Sequence, residues 1–339
     1  MARYLLRRVL QAVPLLFIIS MLLFVIMQGT GDPLATLGGR QPTRAADRER
    51  LARQLGLDQP VLVQYVYWLI GNDWVLVDPE TGRYGTRKGV IRGDFGESIT
   101  RRQPVTTVVG ERVGDTLLLT GTAQVIIIVA SLALGMYSAL RKYTLFDQFF
   151  TAVSFVLYSF PVFLMAYVLI YIFSIGFRSA GLPYLPTSGI FDPAVGRTTE
   201  QVLWHLILPV TTIALISIAA YSRYIRSTML EVINSDYIRT ARSKGLSERR
   251  TVLVHAFKNA SLPLVTLIGL DIPFLLGGAV VTETIFAWPG LGQLFIQQIE
   301  RKDYPVLMGL LMMISIAVVV FQIITDVVYT LLDPRIRYS

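Results

Sequence analysis

The sequence predicts an all-α integral membrane protein that crosses the membrane six times. Of its 339 residues, 53% are hydrophobic and only 16% are charged, whereas about 25% of the residues of a typical soluble domain are charged. Six apolar stretches are each long enough to cross the hydrocarbon core, which takes roughly 20 residues as a helix. Arginine and lysine are concentrated beside alternate stretches, as they are in cytoplasmic loops.

The predicted spans follow these apolar stretches in chain order. The first three carry no charged residue, although Pro161 is expected to kink the third. The fifth contains two acidic residues, Asp271 and Glu283, and the sixth carries Asp326 near one end. The six spans are Val9–Gln28, Leu117–Leu140, Gln148–Phe177, Val202–Ser222, Leu264–Ala287 and Tyr304–Leu332.

The basic flanks also predict the orientation. With six crossings these flanks all fall on one side of the membrane, so both termini are expected in the cytoplasm. The net charge of +8 would suggest a nucleic-acid partner for a soluble protein, but here it reflects the loops, and we expect no nucleic acid. The first span could instead be a cleaved signal peptide. Its apolar run is longer than usual for one, however, and no A-x-A-like site follows it.

We expect four parts along the chain. Residues 1–28 form a cytoplasmic tip and the first transmembrane helix, and residues 29–104 form an extracytoplasmic segment. Residues 105–333 form a core of five transmembrane helices, which includes a cytoplasmic loop at 223–263. Residues 334–339 form a cytoplasmic tail.

The extracytoplasmic segment is too long for a connector and too apolar for simple disorder. Within this segment the sequence predicts two short helices, Asp47–Leu55 and Val61–Ile70. A hairpin is expected after them, with strands Trp74–Val77 and Arg83–Tyr84. Two interpretations remain open: a small cap that packs on the ends of the spans, or a docking surface for a soluble partner outside the membrane.

The composition excludes most catalytic and metal sites. The chain has no cysteine, which rules out thiolate catalysis and cysteine-ligated metals, and only His205 and His255 could supply an imidazole. It contains no G-x-x-x-x-G-K-[ST] and no H-E-x-x-H motif, so it cannot bind ATP through a P-loop or zinc in the manner of a metalloprotease. We therefore predict no catalytic residue, no metal site and no cofactor bound by this chain.

A charged segment of 28 residues, Asp236–Pro263, separates the fourth and fifth spans, where a short loop would be usual. Asp236 is a suitable N-cap because its carboxylate can accept from the free N–H groups of the next turn, and Gly245 suits a C-terminal stop. The helix between them has about eight residues and is about 12 Å long. Because isolated helices that short are marginal in water, it needs a surface on which to pack.

One face of this short helix is apolar and is formed by Tyr237, Ile238 and Ala241. Ser247 can open a second helix with an apolar stripe, consisting of Val252, Leu253, Ala256 and Phe257. The spacing allows two interpretations. Tyr237 and Ile238 could fill a groove of another protein, each contributing about 1.5–3 kcal/mol, or the segment could lie on the membrane surface with its arginines near anionic lipids.

The segment resembles the EAA loop in permease subunits of ABC-type importers, whose pattern is E-A-A, three residues, glycine and later L-P. Thr240 and Ala241 occupy the two alanine positions of this pattern. Gly245 occupies its glycine position, and Leu262-Pro263 matches the L-P that ends it. Arg239 stands where the family has glutamate.

Further stretches are similar to the dipeptide/oligopeptide branch of that family and occur in the same order along nearly the whole chain. They are Leu55-Gly56-Leu57-Asp58-Gln59-Pro60, Gly93-Asp94-Phe95-Gly96-Glu97-Ser98, Pro186-Thr187-Ser188-Gly189, residues 283–292 (ETIFAWPGLG) and residues 333–338 (DPRIRY). The run from Trp74 to about Arg92 looks like an insertion relative to shorter members.

The resemblance implies the type I ABC importer permease fold in a prokaryotic inner membrane, with six transmembrane helices and an extracytoplasmic insertion after the first. The short helix would be a coupling helix seated in a groove of a cytoplasmic ATPase. The implied partners are a second homologous permease subunit, two ATPase subunits that hold ATP and Mg, and an extracytoplasmic binding protein that delivers a peptide. The residues implied in coupling are Asp236, Tyr237, Ile238, Arg239, Thr240, Ala241, Lys244, Gly245 and Leu246.

The two acidic residues of the fifth span are the candidates for contact with the solute. Asp271 lies roughly two turns into the span, where a carboxylate costs about 2.5–3.5 kcal/mol and should face the bundle or a watery path. It could meet the ammonium of a peptide, or it could serve as a structural hydrogen-bond partner. Glu283 lies near the outer end and could contact solute or fix the loop through Trp288 and Gly290.

Two other functions remain as alternatives. An intramembrane enzyme would use Asp271 and Glu283 as a carboxylate pair, but twelve residues of helix separate them by about 18 Å. An ion-driven secondary transporter should show an inverted internal repeat and broken helices, and the sequence shows no such repeat.

Overall fold

The computed structural model describes residues 2–29, 52–53, 58–78, 82–261, 264–265, 267–269, 271 and 279–332. They fall into two units, Met1–Gly114 with Leu294–Val319 and Asp115–Gln293 with Val320–Ser339. The helices are α1 (Ala2–Gly29), α2 (Val61–Ile70), α3 (Val105–Leu140), α4 (Leu145–Ser159), α5 (Val162–Ser179), α6 (Thr199–Ile233), α7 (Asp236–Ser243), α8 (residues 248–260), α9 (Val280–Ile285), α10 (Leu291–Arg301) and α11 (Tyr304–Leu332).

Within the described residues, five helices are long and apolar enough to cross a membrane. They correspond to α1, α3, α5, α6 and α11, and they confirm the helices predicted for the first, second, fourth and sixth spans. Most of the fifth predicted span lies outside the described residues, although residues 264–265, 267–269 and 271 are helical and α9 covers its outer part.

The third predicted span is two helices rather than one kinked helix. After α4, Phe160 (φ −75°, ψ 126°) and Pro161 (φ −59°, ψ 138°) are extended, and α5 begins at Val162. The expectation of a single kinked span was therefore wrong. Proline disfavours the helical conformation in the residue before it and supplies no N–H of its own, so the helix ends here instead of bending.

In the first unit, the segment between α1 and α3 packs on the long apolar helices. Tyr65 and Trp68 of α2 form a buried cluster with Met308 and Met312 of α11, and the Tyr65 hydroxyl lies 2.7 Å from Ser20 Oγ of α1. These contacts favour the cap interpretation for α2, while no contact tests a docking role.

The predicted hairpin is present, although its first strand begins at Leu76 rather than Trp74 and includes Asp78, which was expected in the turn. Strands β1 (Leu76–Asp78) and β2 (Arg83–Tyr84) pair antiparallel. The expected helix Asp47–Leu55 lies almost entirely outside the described residues, of which only 52–53 are helical.

A buried carboxylate fixes the end of the outer segment to the start of α11. Asp303 has no solvent exposure, and it accepts bonds from the hydroxyl groups of Ser98 (2.6 Å) and Thr100 (2.8 Å). The backbone N–H groups of Ile99 and Thr100 also donate to it, at 3.2 and 3.0 Å. These four donors satisfy the carboxylate, which would otherwise be costly to bury.

In the second unit, α3 and α6 approach closely through a glycine. A Cβ added at Gly135 would lie 2.7 Å from the Ser222 carbonyl oxygen and 2.8 Å from Ile225 Cβ. The close approach supports one continuous buried cluster, which includes Leu119, Ile127, Ile225, Met229, Ile238 and Trp288.

An ion pair joins α4 to α6 beside this cluster. Arg226 donates to both carboxylate oxygens of Asp147, at 2.6 and 2.8 Å, and the Ser138 hydroxyl and the Tyr143 N–H donate to the same carboxylate. The bonds from Arg226, followed by those from Ser138 and Tyr143, lower the pKa of Asp147 below its ordinary range. Because Asp147 lies one residue before the predicted third span and is 2% exposed, it is held as a buried anion.

We expect Arg226→Met to lower the free energy of unfolding by about 3–5 kcal/mol, because it leaves the Asp147 charge buried and unpaired. The measurement is thermal unfolding of the purified protein in detergent. Arg242→Met is the matched control, since its pair with Glu248 (2.7 Å) is exposed and such pairs contribute about 1 kcal/mol or less. The double variant Arg226→Met/Asp147→Leu should recover much of the loss. Equal losses for the two single variants would contradict the assignment.

Candidate functional site

The short helix α7 spans Asp236–Ser243, close to the predicted length. Its N-cap is Ser235 and not Asp236 as predicted. Asp236 begins the helix itself, where a negative charge is still favourable because it lies at the positive end of the helix dipole. Ser235 Oγ donates to the Val232 carbonyl at 2.6 Å, which ties the cap to α6.

A left-handed glycine ends the helix where the sequence predicts. Lys244 is the C-cap, and Gly245 follows with φ +76°, a conformation that costs little for glycine but strains side chains branched at Cβ. Across this turn Arg242 bonds Glu248 at 2.7 and 3.1 Å. The bond from Arg242 lowers the pKa of the Glu248 carboxyl. The turn therefore links α7 directly to α8.

The apolar face of α7 packs against the protein itself. Ile238 has no exposed surface, and Ala241 is 8% exposed. Ile238 belongs to one buried cluster with Val252 and Ala256 of α8 and Met229 of α6. The expectation that Ile238 fills a groove of a partner is therefore wrong, because its own chain already covers it.

The opposite face of α7 is open. Tyr237 is 45% exposed, and Arg239, which is 72% exposed, lies 3.5 Å from Asp236. The other exposed side chains on or beside the helix are Asp236, Thr240, Arg242, Ser243 and Lys244, whereas Leu246 is half-buried. This polar surface with one aromatic ring is the part of α7 available to another protein.

The second predicted helix is also present. Ser247 is the N-cap of α8. Its apolar stripe is divided, because Val252 and Ala256 are buried while Leu253 is 45% exposed. Leu262 and Pro263 lie outside the described residues.

Glu283 is enclosed by the loop that follows it. It has no exposed surface, and its carboxylate accepts from Thr116 Oγ1 and from the Gln293 N–H, both at 3.0 Å. A Cβ at Gly290 would lie 2.4 Å from the carboxylate, so the loop closes only because this residue is glycine. These contacts favour the loop-fixing role over direct contact with solute.

The same loop is anchored to α3 by its tryptophan. Trp288 is fully buried, and its Nε1 donates to the Asp115 carbonyl at 2.8 Å. The Leu291 N–H donates to Thr116 Oγ1 at 2.7 Å. Asp115 in turn pairs with Arg197 at 2.6 Å, which fixes the outer loop before α6.

Asp271 has a different environment. It is half-buried, and its carboxylate accepts a hydrogen bond from the Tyr221 hydroxyl of α6. Asp271 therefore faces the bundle, as the sequence predicts for a carboxylate in a span. Since Asp271 bonds α6 and Glu283 bonds α3, the two acids have separate partners, and the structure offers no support for a carboxylate pair.

Comparison with known proteins identifies relatives along the whole chain. The family described as binding-protein-dependent transport system inner membrane component matches residues 131–338. The N-terminal family of binding-protein-dependent transport system membrane components matches residues 1–120.

Individual relatives match over their full length. The oligopeptide transport system permease protein AppB of Bacillus subtilis (strain 168) is 39% identical, and the alignment covers 100% of both chains. The glutathione transport system permease protein GsiC of Escherichia coli (strain K12) is 34% identical with the same coverage.

A solved structure has a similar fold. The MetNI methionine ABC transporter in inward facing conformations matches with a TM-score of 0.50 and 17% identity, covering 66% of this chain and 96% of that chain. The fold is that of a type I ABC importer permease, as the sequence predicts.

The enclosure of Glu283 gives a direct test. We expect Gly290→Ala to lower the free energy of unfolding by about 1–3 kcal/mol, because the added methyl overlaps a buried carboxylate. The readout is the Tm of the purified protein. Gly121→Ala is the matched control, since a Cβ there meets nothing within 4 Å and alanine favours a helix. A Tm for Gly290→Ala equal to that of the control would contradict the tight closure of the loop.

Proposed function

The chain belongs to the family of binding-protein-dependent transport system inner membrane components, and we propose that it forms half of the membrane pathway of an ATP-driven importer for di- or oligopeptides or similar small solutes. The observation that carries the proposal is the full-length similarity to permeases named for oligopeptide and glutathione transport. The permease has no proposed catalytic role of its own, and ATP and Mg are assigned to separate subunits.

We infer four protein partners for this subunit. They are a second, homologous permease subunit, two cytoplasmic ATPases and an extracytoplasmic binding protein. The open face of α7 is the proposed ATPase contact, because it exposes Tyr237 on a helix that is otherwise fixed to its own chain. This assignment places both termini in the cytoplasm of a prokaryotic cell and the outer hairpin on the other side of the inner membrane.

The structure changes which α7 residues belong to the proposed contact. Tyr237, Arg239, Thr240 and Lys244 are exposed and can touch an ATPase. Ile238 and Ala241 act instead as the attachment of α7 to its own core. Asp236 and Gly245 set the start and end of the helix.

An ion-driven transporter remains the alternative, because the break at Phe160-Pro161 is the kind of discontinuity such transporters use. The two proposals differ in their need for partners. Reconstitution of the chain with its permease partner, its ATPases and its binding protein should give uptake that depends on ATP. Solute flux through the chain without ATPases, driven by an ion gradient, would support the alternative.

The exposed ring on α7 can be tested without disturbing the core. We expect Tyr237→Asp to lower ATP-dependent uptake by about tenfold or more, because a buried aromatic anchor in an interface contributes about 2 kcal/mol or more. The measurement is uptake by the assembled transporter, together with co-purification of the ATPases. The control is Tyr84→Asp on the outer hairpin, where the ring is 57% exposed. Wild-type uptake by Tyr237→Asp would remove the ring from the proposed contact.

Asp271 is proposed to meet the ammonium group of a peptide in the pathway. We expect Asp271→Asn to lower uptake of a peptide with a free amino terminus by about tenfold, the value of one charge-assisted hydrogen bond. Uptake of the N-acetylated peptide should change little. Tyr221→Phe is the control, because it removes the hydroxyl that bonds Asp271 but keeps the carboxylate. An equal loss for both peptides would leave Asp271 a purely structural group.

A further inference from the structure

Arg223 on α6 has no acidic partner among the described residues. Its guanidinium carbon lies 4.2 Å from the centre of the Phe155 ring and 5.2 Å from that of Tyr158, both on α4. Its Nη1 is buried and has no hydrogen-bond partner. The cation is therefore held against two aromatic faces while part of its hydrogen-bonding capacity is unused.

An arginine with an unused hydrogen-bond donor is unusual at this position on α6. Arg226, one turn further along α6, is paired with Asp147 at the start of α4. Phe155 lies eight residues beyond Asp147 on α4, which is about 12 Å along the helix axis. Because the Arg223 guanidinium contacts Phe155, its side chain extends from the level of the Arg226–Asp147 pair towards the middle of the bilayer. A cation at such a depth is costly and marks a functional group or a watery path, and ring contacts offset only part of the cost.

A cavity that is widely open to the outside begins at the Phe155 ring, which it shares with Arg223. It has a volume of about 450 Å³ and is lined by Phe155, Val156, Ser159, Phe160, Pro161 and Leu164. It therefore occupies the break between α4 and α5. Non-helical backbone at membrane depth is tolerated only where protein buries it or water reaches it. The side chains of Ser159 and Pro161 are exposed, so the described residues do not bury the break, which leaves access of water as the remaining condition.

We propose that this cavity and Arg223 form a solute site in the translocation pathway that binds a carboxylate. The guanidinium is planar and presents paired N–H donors that match the two oxygens of a carboxylate, and the apolar wall accepts the side chains of a peptide. The proposal rests on the proposed importer function and adds to it a residue and a ligand chemistry. A phospholipid phosphate is the competing anion, but the cavity at the helix break favours a solute.

The lack of native cysteine allows a test that needs no solute. Ser159→Cys in the assembled transporter should react with water-soluble thiosulfonate reagents, and the anionic reagent should react faster than the cationic one. Arg223→Gln should lower the anionic-to-cationic rate ratio by about tenfold, as expected for a field focused in a cleft. Ser179→Cys is the matched control, because Ser159 and Ser179 are both exposed and both bond a carbonyl of their own helix at 2.8 Å.

Two results of this test would overturn the proposal. One is the absence of reaction at position 159 with either reagent, both without nucleotide and in an ATP-trapped state, because the cavity would then face lipid. The other is a rate ratio that Arg223→Gln leaves unchanged, because Arg223 would then set no charge in the cavity.

A transport measurement tests the ligand chemistry. We expect Arg223→Gln to lower uptake of a peptide with a free carboxyl terminus by about tenfold relative to the C-terminally amidated peptide. Arg249→Gln, at an exposed position on α8, should leave this ratio at its wild-type value. An equal loss for both peptides, or recovery of uptake on adding anionic phospholipid, would overturn the carboxylate site in favour of a structural or lipid role.

The two tests separate the proposals. If wild-type uptake needs no ATP, the importer function fails, while the cysteine rates still report on the cavity. If uptake needs ATP but the rate ratio does not depend on Arg223, only the carboxylate site fails.

Discussion

The constraint on which this structure depends is that buried polar groups must find their partners inside the protein. Hydrocarbon offers neither hydrogen bonds nor counter-ions. Among the described residues, three buried carboxylates show this: Asp147 accepts from Arg226, Glu283 accepts from Thr116, and Asp303 accepts from Ser98 and its neighbours. These contacts join elements that are far apart in sequence, so the same bonds that satisfy the charges also hold the helices together.

The constraint also explains why two arginines on one helix differ. Arg223 and Arg226 are one turn apart on α6 and both face α4. At its start α4 offers a carboxylate, and about two turns further on it offers only aromatic rings. Arg226 is consequently a structural residue, whereas Arg223 retains an unused donor beside a cavity. The position of the acid on the neighbouring helix decides between the two roles.

The sequence predicted much of the fold because apolar length and basic flanks are properties of single segments. The helices of four spans, the presence of the hairpin and the length of α7 follow from such local patterns. The pairing of Asp147 with Arg226 could not be predicted in this way, because Arg226 falls in the charged loop expected at residues 223–263 and its partner lies on another helix. An acid placed directly before a long uncharged stretch was the available signal. The break at Pro161 was read as a kink because the pattern of apolar residues continues through it.

The side of α7 that packs inward could not be read from its own spacing. Tyr237 and Ile238 are neighbours in an apolar pattern, and only the position of α8 decides that Ile238 is buried and Tyr237 is open. The exposure of Arg239 follows from the same packing, and its guanidinium lies 3.5 Å from the exposed carboxylate of Asp236 on the same helix. The helix is attached by Ile238 and Ala241 rather than by charge. A force applied to its open face is therefore transmitted to α6 and α8 through close-packed side chains, which deform little. That rigidity suits the proposed contact with an ATPase.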